Sequence, residues 1–142
     1  MRPIVVRIGF AGILGVLVTA GCDSGAGTLA PVHGKVIYHG SPLYTGTIVF
    51  TPDGLRGTTG ALARADIRQD GTYDLMTGES RGAASGWYRV TIMAIAPPAT
   101  GDPGSFAVPH SLLPEKYRDP ELSGLSCQIR PDQENIIDFN LE

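Results

Sequence analysis

GWYRVTIMAIA, residues 86–96, alternates without a break. Tyr88, Val90, Ile92, Ala94 and Ala96 fall on one side of an extended chain, and Trp87, Arg89, Thr91, Met93 and Ile95 on the other. Apolar residues on both sides predict a strand in the middle of a sheet. Period two recurs before and after it. In VHGKVIYH (32–39), Val32, Gly34, Val36 and Tyr38 share one face and His33, Lys35, Ile37 and His39 the other. Gly40 to Leu43 is turn chemistry, and a second run, Thr45 to Thr51, centres on Ile48, Val49 and Phe50. GALARADI (60–67) sets Ala61, Ala63, Ala65 and Ile67 against Arg64 and Asp66. Thr72 to Met76 is expected to pair back on it across Asp70-Gly71, a dipeptide that accepts the positive φ angles of a hairpin turn. Leu125 to Arg130 and Glu134 to Leu141 follow, the latter with Ile137, Phe139 and Leu141 inward and Asp138 and Asn140 outward. Seven short runs separated by turns predict an all-β, seven-stranded antiparallel β-sandwich.

Composition agrees. The chain has 142 residues, of which 18% are charged and 7% aromatic, a poor basis for a helical bundle or coiled coil. If the first 21 residues are removed, the 11 basic side chains fall to 9 by loss of Arg2 and Arg7. Against 14 acidic ones that leaves a formal −5. An acidic domain has no electrostatic reason to seek phosphate backbones, so no nucleic-acid partner is expected. Residues 97–124 hold six of the chain's 11 prolines and read as one long loop with a helical turn near Glu115 to Arg118.

The N-terminal segment has its own logic. Arg2 and Arg7 form a positive head, Ile8 to Val18 an uncharged apolar run, and Thr19, Ala20 and Gly21 a small-residue approach to Cys22. That is the layout of a cleaved secretory signal helix. A permanent span needs roughly 20 apolar residues for a core about 30 Å thick, and Arg7 interrupts this stretch. LVTAGC resembles the lipobox of bacterial lipoproteins, matching at Ala20, Gly21 and Cys22 and departing at Thr19, where the family most often has leucine. The resemblance implies cleavage between Gly21 and Cys22 and lipidation of Cys22. Each buried methylene contributes about 0.8 kcal/mol, so several acyl chains would hold the protein on a membrane. The alternative for Cys22 is a disulfide with Cys127, the other cysteine. DSGAGTLAP after Cys22 reads as a flexible linker, whereas Cys127 alternates with Leu125 and Ile129 as a core position. The expected division is therefore signal 1–21, linker 22–31 and sandwich 32–142.

GKVIYHGSPLYTGTIVFTP, DGTYDL, GWYRVTI, LLPEKYRDPELSGL and NIIDFNL, in that order, resemble the carboxypeptidase-regulatory-like, or transthyretin-like, domain of small bacterial lipoproteins. The resemblance covers residues 32–142. It implies a prealbumin-like sandwich and no catalytic activity, because in peptidases such a domain is an accessory to a separate catalytic one.

Motifs with chemistry are sparse. His33 and His39 share a strand face but lie six residues apart, about 20 Å, and cannot hold one ion together. His110 sits in the long loop. Asp66, Asp70 and Asp74 lack the spacing of a calcium loop, and GAASG (82–86) is not a nucleophile elbow. No metal or cofactor is expected. Lys35 and Asn140 lie on the first and last strands, as in isopeptide-linked sandwiches, but that reaction needs a buried neutral lysine beside a buried carboxyl. Tyr38, Tyr44, Trp87 and Tyr117 raise a sugar- or peptide-binding surface as a further option. The expected function is thus a non-enzymatic, exported and lipid-anchored binding or assembly module of the bacterial cell envelope, its domain facing periplasm or cell surface, with a protein or glycan partner. A small hydrolase using the 97–124 loop and a purely structural envelope protein are the alternatives.

Overall fold

The computed structural model describes residues 27–97 and 109–142. The strands are β1 Val32–Tyr38, β2 Ser41–Pro42, β3 Thr47–Pro52, β4 Ala63–Asp66, β5 Thr72–Asp74, β6 Met76–Thr77, β7 Ser80–Arg81, β8 Gly86–Met93, β9 Ser126–Ile129, β10 Asn135–Ile136 and β11 Phe139–Leu141. Two 3₁₀ turns, Gly54–Arg56 and Glu115–Arg118, complete the secondary structure of the described residues. The expected signal segment, residues 1–21, and Cys22 lie outside them. So do residues 98–108 of the proline-rich stretch.

The fold is an all-β sandwich of two mostly antiparallel sheets. The larger runs β7-β6-β4-β3-β8-β9. As its alternation requires, β8 is an interior strand, paired with β3 on one side and β9 on the other. Its Tyr88, Val90 and Ile92 are buried against Ile48 and Phe50 of β3 and Ile129 of β9, and Ala94 just past its end is buried too. The smaller sheet is built around β1. β5 and β2 pair antiparallel along one edge, and β10 and β11 run along the other. Val36, Tyr73 and Phe139 carry its inner face into the shared core, where Phe50 meets Tyr73, Tyr88 and Phe139 at ring separations of 6.1 Å.

Seven expected runs appear as eleven pieces, and three differences carry information. First, β10 and β11 pair with β1 in parallel, with Val36 opposite Phe139 and Tyr38 opposite Leu141. Alternation fixes faces, not direction. Second, Thr72 to Met76 does not fold back on its predecessor. Asp70-Gly71 makes its turn, with Asp70 Oδ1 accepting from Thr72 N at 3.0 Å, but the turn carries the chain across the sandwich. There β5 pairs with β1, and only Met76 returns to meet Arg64 of β4. The crossing lets Tyr73 and Leu75 bury their side chains in the core. Third, the first turn is His39-Gly40, both at positive φ (48° and 79°), so Ser41–Pro42 becomes a strand. The last two residues of the expected linker, Ala30 and Pro31, take part in the fold. Ala30 is buried and exchanges backbone hydrogen bonds with Ala83, and the Pro31 carbonyl accepts from Asn135 N.

The break between β10 and β11 is held by side chains. At Ile137 the carbonyl turns inward over Gly34, so close that a Cβ on Gly34 would sit 1.8 Å from it. The buried Tyr73 hydroxyl donates to that oxygen at 2.6 Å, and burial pushes the phenol's pKa up, keeping the proton on it. On the outward side the Asp138 carboxylate takes the place of a backbone acceptor and receives Lys35 N at 2.8 Å. At the preceding turn the buried Asn135 amide accepts from Arg130 N and donates to Arg130 O.

This arrangement makes two expectations for urea unfolding. Gly34→Ala should lower stability by about 3 kcal/mol or more, because either the strand or the carbonyl must move. Tyr73→Phe should cost about 1–3 kcal/mol by orphaning a buried carbonyl. Midpoints should fall with the slope unchanged. A Gly34→Ala protein as stable as the parent would contradict the placement of Ile137.

Candidate functional site

At the junction of β3 and β8 the outer face of the larger sheet carries a cluster of charged and aromatic side chains. Where β3 ends, Asp53 N donates to Trp87 O at 2.8 Å. Asp53 Oδ1 accepts from Leu55 N at 3.1 Å and starts the 3₁₀ turn Gly54–Arg56. Thr58 then returns to β8 and accepts from Trp87 N at 2.7 Å through its hydroxyl. A Cβ at position 86 would lie 2.6 Å from that threonine side chain, and Gly86 also has φ +144°, so only glycine suits the site. Loop 53–58 is thereby clamped to Trp87 from both sides.

Two arginines converge on one carboxylate. Asp53 is 6% exposed, and its Oδ2 lies 3.6 Å from Arg56 Nε and 3.5 Å from Arg89 Nε. The Arg56 guanidinium lies over the Trp87 ring at 4.2 Å from its centroid, a cation–π contact that fixes its plane. Arg89, two residues along β8 on the same face, reaches Glu121 Oε1 at 3.4 Å through Nη1. Glu121 stands on a loop tied down from below. Asp119 Oδ1 accepts from Glu121 N and Leu122 N, and the Ser123 hydroxyl donates to Val90 O at 2.7 Å.

Between these groups lie two adjoining hollows of about 300 and 380 Å³, which share Asp53, Leu55, Arg89, Pro120 and Glu121. That size suits a group of modest bulk rather than an enclosed cofactor. Leu55 and Leu122 nearby are 87% and 68% exposed. Arg56 and Arg89 face Asp53 and Glu121, so the four charges balance, and one unit of positive charge is uncovered only where the exposed Glu121 turns away. The groove can hold an anion in place of the Glu121 carboxylate.

The residues singled out in the sequence fare differently. Cys22, Gly21 and the cleavage point between them lie outside the described residues. Of the four aromatics, Trp87 alone adjoins the groove, beneath Arg56. Tyr117 is buried, with its hydroxyl donating to Glu142 O, Tyr38 packs on the core and stacks on His39, and Tyr44 is exposed elsewhere. His33 pairs with Glu134 at 3.6 Å, and the exposed His110 accepts from Ala96 N through its backbone carbonyl. Among the described residues no three His, Cys, Asp or Glu side chains are placed to hold a metal ion. Lys35 and Asn140 point outward on neighbouring strands, and the carboxylate between them, Asp138, is exposed rather than buried. Asp70 and Asp74 serve the crossing between sheets: hydrogen bonds from Thr72 and Arg68 respectively hold both carboxyls below the usual range. Cys127 packs against the core, and burial pushes its thiol up to about 12, leaving little thiolate at neutral pH. Among the described residues no helix is long and apolar enough to cross a membrane.

No family model, no curated protein and no solved structure matches the chain.

The charge balance can be tested directly. Asp53→Asn keeps the turn-starting acceptor but leaves two guanidiniums facing each other. Stability should fall by about 1–3 kcal/mol, read by denaturation followed through Trp87 fluorescence. Unchanged stability would mean that Asp53 does not hold the arginines.

Proposed function

We propose that this protein is a non-enzymatic binding or assembly module, exported and tethered to a bacterial membrane through acyl chains on Cys22. The observation that carries the binding half is the groove over β8. Its two arginines are oriented before any ligand arrives, Arg56 by Trp87 and both by Asp53, so little ordering entropy remains to be lost on binding. The tether rests on the sequence of residues 1–22, with its positive head, apolar run and small residues before the cysteine. The likeness to carboxypeptidase-regulatory-like domains fits a two-sheet sandwich, and it supports an accessory rather than a catalytic role. The partner is read as an envelope protein or glycan met at the membrane surface.

Metabolic labelling with a fatty-acid analogue tests the tether. Label should enter the parent protein and vanish in Cys22→Ala, which should leave the membrane fraction. Equal labelling of both would remove the anchor from this reading.

A further inference from the structure

We propose that the groove over β8 takes a carboxylate bearing an apolar substituent, of the kind found at the free C-terminus of a peptide whose last side chain is apolar. The inference deepens the binding-module reading and rests on its binding half, not on the tether.

Charge sets the ligand's sign and size. Asp53 spends one oxygen on Leu55 N and the other on both arginines. Glu121 balances the second arginine in the free protein, so a monoanion that takes the place of its exposed carboxylate keeps the site neutral. A phosphate dianion in the same place would leave one negative charge in excess beside Asp53. Geometry sets the group. Arg89 Nη2 and both Nη atoms of Arg56 have no protein partner among the described residues. Guanidinium forks match carboxylate oxygens two at a time. Glu121 already supplies a carboxylate to Arg89, but at 3.4 Å and from a side chain 78% exposed. An exposed pair of that kind contributes little and exchanges readily with an incoming carboxylate. The rim sets the substituent. Leu55, Pro120 and Leu125 line the hollow beside the arginines, and Leu55 is exposed almost in full. An apolar side chain next to the ligand carboxylate would cover them, whereas a sugar acid would set hydroxyls against them.

The chain's single tryptophan, Trp87, lies beneath Arg56 and reports on the groove. Purified full-length protein is titrated with N-acetyl-Ala-Ala-Leu as free acid and as C-terminal amide, and with octanoate and inorganic phosphate. Amide shifts of Arg89 and Glu121 in nitrogen-15 spectra serve as a second readout. The free acid should saturate at about millimolar concentration, and the amide should bind at least about tenfold more weakly. Arg56→Gln, at an exposed position, should weaken the acid about tenfold. Glu121→Gln should tighten it about threefold by removing the internal competitor. Equal binding of acid and amide, or no effect of either variant on the acid, overturns the proposal. So does phosphate binding as well as the peptide. Octanoate matching the peptide overturns the peptide assignment. None of these results bears on acylation of Cys22, so the tether stands or falls separately.

Discussion

One backbone carbonyl, that of Ile137, is turned into the sandwich, and much of the smaller sheet follows from it. A buried carbonyl without a donor is costly, and the Tyr73 hydroxyl supplies the donor. The space it needs exists because residue 34 has no side chain. With the chain twisted at that point, the last run is split into β10 and β11 and yet stays on one edge of β1. Asp138 then faces outward and satisfies Lys35 N, which would otherwise lose its partner at the break. Tyr73 reaches the carbonyl only because Asp70-Gly71 sends the chain from the larger sheet to the smaller. The two departures from simple antiparallel pairing, the crossing and the parallel edge, are therefore coupled through one hydrogen bond.

The groove depends on an interior strand of the larger sheet. β8 buries one face and presents Trp87 and Arg89 on the other, two residues apart and both part-buried. Loops on either flank are fastened to its backbone, 53–58 at Trp87 and 119–123 at Val90. The charged groups thus sit on loops, yet they are positioned by the strand beneath. Such a site can be fixed to within small displacements without a deep cavity.

Most of the strand faces were legible in the sequence because burial writes a period of two. Val32 and Val36, Val90 and Ile92, and Phe139 and Leu141 each share a buried face as their alternation required. Ala61 does not follow: it is exposed, because β4 begins only at Ala63. The direction of the last strand was not legible, since parallel and antiparallel partners leave the same alternation. Nor was the sheet to which Tyr73 belongs, since an Asp-Gly turn fixes local angles and not the next strand's neighbour. The groove was only half visible. Trp87 stood out as an aromatic and Arg89 shared its side of the strand, but Asp53 fell just past the end of the second run. Nothing in residue spacing joins 53 and 56 to 89 and 121. Those contacts arise from strand pairing across long sequence separations.

The coupling of Gly34, Ile137 and Tyr73 is tested most directly by a double-mutant cycle between positions 34 and 73. Once Gly34→Ala has displaced the Ile137 carbonyl, removing the Tyr73 hydroxyl should cost little more. The double variant should then be more stable than the sum of the single losses by about 1 kcal/mol or more. Losses that add to within about 0.5 kcal/mol would show that glycine and tyrosine act independently, and that the inward carbonyl does not join the two.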